Sequence, residues 1–359
     1  MAKKLMKGNE AIGEAAIQVG CRNFFAYPIT PQNEVAEYLS RRLPEVQGNF
    51  VQAESELGAA NMVFGAAAAG ELAFTTSSGP GISLMAEAIS YIAGAQVPAV
   101  FVNIVRAGPG LGGILPSQSD YLQATKGGGH GDYRLLVLAP ASVQEAVDLL
   151  MLAFQLGNKY RAPVMILGDG MIGQMMEPVE FKPLPPLEGI PSKDTWATNG
   201  AKDRKANIIR SLHLDPEVLE KNNHSLAAKY AQWHKEEIRY TTVNTDNNPS
   251  LLIVAYGTMA RICATAVAEL KKEGIEVGLL RPITLYPFPT EAVAEYGRKA
   301  GRVMSIEMSM GQMIEDVQAA VGHDIKVGFF GRAGGIVPSP DEVIRAIKAN
   351  LQKPVEVTT

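Results

Sequence analysis

The sequence predicts an α/β protein: a doubly wound, mostly parallel sheet followed by a second, smaller α/β domain. Three observations carry this. Short apolar runs alternate with longer runs of helical period through the first 170 residues, the pattern of strand–helix–strand units. One run, 97–105, is apolar but for Asn103, as befits a strand buried on both faces. The alternation then stops in a proline-rich stretch and resumes at residue 250.

At 359 residues the chain suits two domains of ordinary size, and an apolar fraction of 47% excludes a mainly disordered chain. A net charge of −4 gives no reason to expect nucleic acid or an acidic membrane surface as partner. Cys21 and Cys263 are far apart and not in CxxC spacing, so by themselves they hold neither an iron–sulfur cluster nor zinc, and they suit a reducing compartment. No run is long enough to span a membrane, and the basic start lacks the apolar core of a signal peptide; the expectation is a cytoplasmic protein.

In chain order, the spacing of Ala11, Ala15, Ile17 and Val19 predicts a helix over 8–20, opened by Asn9, and a strand follows at 23–26. The strand runs into Tyr27-Pro28-Ile29-Thr30-Pro31. Two prolines hold this loop extended, so Thr30 projects past the strand's carboxyl end, where open α/β sheets bind ligands. Pro31 suits the first turn of the next helix, and Thr30 doubles as its N-cap.

Residues 51–70 read VQAESELGAANMVFGAAAAG. Ser55 is placed to cap a helix and Glu56 to sit in its first turn, where the dipole favours a negative charge. The small residues beyond let another surface approach closely, so Glu56 is either an ordinary helix-stabilising carboxylate or a poorly solvated one available to a buried partner. A strand at 72–76 leads into Ser77-Ser78-Gly79-Pro80-Gly81 ahead of an apolar helix to about residue 94; such a turn can aim backbone N–H groups at an anion or cofactor edge. The 97–105 strand delivers Arg106 at its end, a costly place for a guanidinium unless an anion or carboxylate meets it. Between 107 and 133 glycine recurs among Ser117, Gln118, Ser119 and Asp120, the composition of a binding loop or lid, in which His130 reads as a loop hydrogen-bonder.

A strand at 134–138, a helix at 142–157 and a strand at 162–167 complete the first unit. Gly168-Asp169-Gly170 looks like the GDG that opens a metal–diphosphate motif, but the Met-rich and proline-rich stretch after it is the wrong context. The expected organisation is a first domain over 1–190, a partly helical connector over 191–249 with a helix from 215 or 216 to 237, and a second domain over 250–359. The last should contain four strands and four helices, with the proline-fixed segment 281–289 as a contact surface at a sheet edge.

Thr30 after YPI, SELGAA with Glu56, TSSGPG, and Arg106 after an apolar strand, then YGTMAR (256–261) and LLRPITLYPFP (279–289), occur in one order over nearly the whole chain. In this the chain resembles the alpha subunit of 2-oxoacid:ferredoxin oxidoreductases. The resemblance implies a thiamine diphosphate pyrimidine-binding domain followed by a domain of transketolase C-terminal type. It also implies a beta subunit carrying the diphosphate site, Mg2+ and a nearby [4Fe–4S] cluster, with gamma and ferredoxin-like delta subunits in many members. Glu56 matches the glutamate that hydrogen-bonds N1′ of the aminopyrimidine and assists its deprotonation chemistry; Thr30 and Arg106 match the residues beside the substrate carboxylate. Pro28, Ile29, Ser78 and Gly79 fall in the same cofactor-binding segments. The implied reaction is oxidative decarboxylation of a 2-oxoacid with coenzyme A, giving acyl-CoA and CO2 and reducing ferredoxin. This chain alone would hold half of a cofactor and no metal.

Where 2-oxoglutarate members read GPSTG after the arginine, this chain reads Gly108-Pro109-Gly110-Leu111-Gly112-Gly113. That leaves little for a second substrate carboxylate and favours a branched-chain substrate such as 3-methyl-2-oxobutanoate over 2-oxoglutarate. A non-redox thiamine-dependent decarboxylase or transketolase half, and a non-catalytic scaffold subunit, are the other readings.

Overall fold

The computed structural model describes residues 3–352. The chain opens with β1 (Lys4–Lys7), α1 (Gly8–Gln18), β2 (Asn23–Ala26), α2 (Asn33–Glu45), β3 (Asn49–Gln52), α3 (Glu56–Ala68), β4 (Ala73–Ser77) and α4 (Gly79–Gly94). It continues through β5 (Ala99–Val105), α5 (Tyr121–Lys126), β6 (Leu136–Leu138), α6 (Val143–Tyr160), β7 (Pro163–Asp169), α7 (Gly170–Gln174) and β8 (Met176–Val179). The connector holds α8 (Pro216–Glu236) and β9 (Tyr240–Val243). The last part comprises β10 (Leu252–Val254), α9 (Gly257–Lys272), β11 (Gly278–Pro282), β12 (Thr284–Tyr286), α10 (Thr290–Ala300), β13 (Val303–Glu307), α11 (Met313–Val321), β14 (Gly328–Gly331) and α12 (Pro340–Gln352).

Seven strands form the first sheet in the order β12-β6-β7-β5-β4-β2-β3, parallel except for β12. The second sheet runs β14-β13-β10-β11-β9, parallel except for β9. The expected α/β architecture is therefore present, and the apolar run at 97–105 is indeed central: every residue of β5, Asn103 included, is buried. One face of the first sheet packs α1, α2 and α6; the other packs α3, α4 and the second domain in a shared core that includes Phe101, Met165, Leu252, Leu280 and Val317.

The two units exchange edge strands. The Thr284–Tyr286 segment, within the proline-fixed stretch expected to make a contact surface, pairs antiparallel with β6, while β9 from the connector pairs with β11. Neither strand shows the alternation that marks a half-buried edge, because each is only three or four residues long. The connector is ordered by Trp233, which is fully buried against Tyr160, Tyr230 and Tyr286. Beside it, the Tyr160 hydroxyl donates to Glu237 at 2.6 Å and Arg239 pairs with the same carboxylate at 2.7 Å.

Local differences have identifiable causes. The helix after Thr30 begins at Asn33 rather than at Pro31, because Thr30 to Gln32 form a turn in which Gln32 N–H donates to Ile29 O at 3.1 Å, and the N-cap position falls to Gln32 rather than Thr30. Asn9 does not cap α1; its side chain donates instead to Pro31 O and Glu34, both at 2.8 Å, tying the 27–32 loop to α1. β1, which pairs with β8, was not expected from the sequence.

Candidate active site

Ser55 is extended and its Oγ accepts from the Gly58 N–H at 3.2 Å, which starts α3 at Glu56. Glu56 is 6% exposed. Its side chain lies against the first turns of α4, where a Cβ on Gly81 would stand 2.0 Å from Ser77 Oγ and 2.6 Å from Glu56 Oε1. Glycine at 81 is thus required by the close approach of two polar side chains. The Glu56 carboxylate accepts no hydrogen bond from a described residue. Its favourable electrostatics come from the amino-terminal turns of its own helix and of α4.

Near the carboxyl ends of β2, β4 and β5, buried polar atoms lack partners. Thr75 Oγ1 and Ser77 Oγ on β4, Ser78 Oγ, Asn103 Oδ1 on β5, Gln32 Nε2 and Arg106 Nε are all shut off from solvent without a hydrogen bond among the described residues. Ser78 is the N-cap residue of α4, yet its hydroxyl does not cap the helix. Such groups are costly to bury and call for a ligand or ordered water.

Arg106 is 7% exposed and fixed by two backbone carbonyls, Thr30 O at 3.0 Å and Leu111 O at 3.1 Å. It forms no ion pair among the described residues. Asp120 is the carboxyl that feels it: burial raises the Asp120 pKa, opposed by a 3.0 Å bond from Asn103 Nδ2, by the Arg106 charge and by the Gly79 N–H. Arg106, Gly79 and Asp120 line a cleft of about 670 Å³ whose far wall is second-domain Ser309, Met310 and Gly334. Thr30, half-buried, accepts from Asn33 Nδ2 at 3.4 Å and reaches the cleft through Arg106. Pro28 is exposed and Ile29 half-buried in the same loop.

The glycine-rich segment behaves as two parts. Residues 108–115 are exposed, whereas Ser117 and Gln118 are buried and stitched to the second domain. Gln118 Nε2 donates to Tyr256 O at 2.9 Å, Gln118 Oε1 accepts from Met308 N at 2.9 Å, and Gln312 Nε2 reaches Ser119 O at 2.6 Å. The GDG tripeptide has a different job from the one its spelling suggests. Asp169 caps α7 through the Met171 and Ile172 N–H groups and accepts from Thr258 Oγ1 at 2.8 Å, clamping the start of α9 to the first sheet. Among the described residues no cluster of three His, Cys, Asp or Glu side chains is placed to hold a metal ion.

Gln32 and Asn103 carry no role in the sequence reading, and Asp120 is only one polar residue of the loop there. Asn103 had a signal, as the one amide within a strand otherwise apolar on both faces. Gln32 had none, because its contact with Thr76 spans 44 residues of sequence.

This arrangement of a buried carboxylate, unsatisfied hydroxyls and an unpaired arginine at the carboxyl edge of a parallel sheet defines a ligand-binding α/β enzyme. Residues 14–240 match the family described as pyruvate flavodoxin/ferredoxin oxidoreductase, thiamine diphosphate-binding, and residues 250–343 match pyruvate:ferredoxin oxidoreductase core domain II. The chain is 48% identical over 351 residues to ketoisovalerate oxidoreductase subunit VorB of Methanothermobacter thermautotrophicus, covering 97% of this chain and 98% of that one. To 2-oxoglutarate synthase subunit KorA of Archaeoglobus fulgidus it is 34% identical, covering 98% of this chain and all (100%) of the relative. A solved 2-oxoglutarate:ferredoxin oxidoreductase from Magnetococcus marinus superposes with a TM-score of 0.86 at 27% identity, covering 98% of this chain and 66% of that chain. The chain belongs to the 2-oxoacid:ferredoxin oxidoreductase family, as an alpha-type subunit with a thiamine diphosphate-binding domain.

Proposed function

We propose that this chain is the catalytic alpha subunit of a coenzyme A-acylating oxidoreductase that acts on 3-methyl-2-oxobutanoate and other branched-chain 2-oxoacids, with ferredoxin as electron acceptor. The observation that carries the site assignment is the buried Glu56 carboxylate, without a hydrogen-bond donor, facing the Gly81 cradle and its unpartnered hydroxyls. Glycine at 81 lets the Glu56 carboxylate and the Ser77 hydroxyl come together, a pair whose chemistry suits a nitrogen heterocycle: a carboxylate for a ring nitrogen and a hydroxyl for an exocyclic amine. Thiamine diphosphate, when bound, supplies the electron sink that lets a 2-oxoacid lose CO2. Glu56 holds the proton shared with N1′ of the aminopyrimidine, for which a poorly solvated carboxylate is suited. Ser78 offers its free hydroxyl, Pro28 and Ile29 belong to the Thr30 loop, and Gly79 lines the cleft. Arg106, held by Thr30 O and Leu111 O, keeps N–H groups for the substrate carboxylate, and Thr30 stands beside it.

The substrate class follows from charge. Arg106 is the one cation among the described residues that line the cleft, and Asp120 faces the same space, so a second substrate carboxylate would meet no counter-charge and one repulsion. The identity to the ketoisovalerate subunit, higher than that to the 2-oxoglutarate subunits, supports the same choice.

Met310 on the cleft wall is exposed, as are Leu57 and Met62 on α3, Leu84 on α4, and Leu111 and Ile114 in the glycine-rich segment, apolar side chains suited to cover by a partner. We assign that cover to a beta subunit holding the diphosphate, Mg2+ and a [4Fe–4S] cluster, without which the chain is inactive, with gamma and ferredoxin-like delta subunits in a cytoplasmic complex. Among the described residues no helix is long and apolar enough to cross a membrane. The test is viologen or ferredoxin reduction by the assembled complex with a panel of 2-oxoacids and coenzyme A. The branched-chain acids should give the highest kcat/KM; preference for 2-oxoglutarate would overturn the substrate assignment, and decarboxylation without electron transfer would overturn the redox one.

A further inference from the structure

On the opposite edge of the first sheet, where α4 ends and β5 and β7 begin, the connector crosses over a second cavity of about 290 Å³. It is lined by Gln96, Arg161, Ile208, Arg210, His213 and Asn222 together with the last residues of α4. Three of these side chains are basic and none is acidic. Arg161 is anchored by Nε to Gln96 O at 3.1 Å and stacked over Trp196 at 5.1 Å, which leaves its two Nη groups without a hydrogen bond among the described residues. Arg210 makes no side-chain hydrogen bond or ion pair there, and His213 Nδ1 is shut off from water without a partner.

The acceptors near the cavity are already taken. Gln96 Oε1 accepts from Lys229 Nζ at 2.9 Å, Asn222 Oδ1 accepts from Gln96 Nε2 at 3.1 Å, and Gly94 O at the end of α4 accepts from Asn222 Nδ2 at 3.3 Å. Lys229 also donates to Arg161 O at 3.1 Å, so a fourth basic side chain adjoins the site. Burial, reinforced by the Arg161 charge, pushes the Lys229 pKa down to about 7, and burial lowers that of Arg161; no carboxylate acts on either. Arg161, His213 and Lys229 are half-buried and Arg210 is exposed; half-buried positive charge without a carboxylate partner is costly, and a planar guanidinium with free Nη groups matches the oxygens of a tetrahedral anion.

We propose that this cavity binds a phosphate-class oxyanion, either free phosphate or a small phosphomonoester, through Arg161, Arg210 and His213, away from the candidate active site. The site is independent of the assignment of Glu56 and of the substrate.

Isothermal titration of the assembled complex with inorganic phosphate, and separately with glycerol 3-phosphate, at ionic strength fixed with chloride, tests it. Saturable binding of one equivalent per chain is expected with at least one of them, and the tighter of the two identifies the source. The double variant Arg210→Gln/His213→Gln should weaken it at least tenfold, with 2-oxoacid oxidation unchanged, while Lys205→Gln on the exposed connector leaves it unaltered. If the double variant fails to fold, Arg210→Gln alone carries the comparison, since that exposed side chain makes no bond among the described residues. Absence of saturable binding with both ligands, or equal affinity in the variants, would overturn the proposal.

Discussion

Glu56 and Glu307 are both buried carboxylates next to the first turn of a helix in an α/β unit, and they are treated in opposite ways. Glu307, at the end of β13, is fully buried and accepts from Ser305 Oγ and Ser309 Oγ and from the N–H groups of Gln312, Met313 and Ile314. Every lone pair that matters is used, and the result is a rigid start to α11. Glu56 accepts nothing from the described residues, and the hydroxyls nearest it are unpartnered as well. The difference separates a carboxylate that holds the fold from one kept ready for something else. Buried polar groups are satisfied in stable folds, so a cluster left unsatisfied marks the place where a ligand completes the structure.

Breaking each side of this comparison should give contrasting losses. Glu56→Gln keeps the shape but removes the proton-sharing group; kcat for 2-oxoacid oxidation by the complex should fall about 10³-fold, roughly 4 kcal/mol, with no loss of melting temperature. Near wild-type turnover would place Glu56 with the structural carboxylates. Glu307→Ala leaves three buried N–H groups and two hydroxyls without an acceptor, and denaturant unfolding should show a loss of about 3 kcal/mol. A variant as stable as the parent would mean that these donors find other partners.

Smaller effects sharpen the contrast. Arg106→Lys cannot keep both carbonyl contacts and still clamp a carboxylate, so KM for the 2-oxoacid should rise by roughly tenfold to a hundredfold with a smaller change in kcat. Ser78→Ala removes a buried hydroxyl that bonds nothing among the described residues, so unfolding free energy should change by less than about 0.5 kcal/mol while thiamine diphosphate is bound several-fold more weakly. A clear destabilisation by Ser78→Ala would show that its hydroxyl serves the fold.

Much of this was legible in the chain. Helical and strand periods placed nearly every helix and most parallel strands, because these elements bury a regular face and are long enough to show it. Ser55 as cap, Glu56 in the first turn and Arg106 past a buried strand were all readable from local spacing. What escaped were contacts between residues far apart: the exchanged edge strands β9 and β12, too short to show a pattern, and the clamp of Asp169 on Thr258, 89 residues away. Asp169 shows how local spelling misleads, since its neighbours resemble a metal motif while its carboxylate serves as a cap and an interdomain tie.

By itself, the sequence determined the fold class, the positions of Thr30, Glu56 and Arg106 at the ends of their elements, and the likeness to a family. Those are properties of local periodicity, capping and residue order. Only the tertiary structure decided which polar groups are left without partners, that Gly81 is the floor on which Glu56 and Ser77 converge, and that four basic side chains gather at the far edge of the sheet. Hydrogen-bond satisfaction and charge balance are sums over everything that surrounds a group, and that surrounding exists only once the chain has folded.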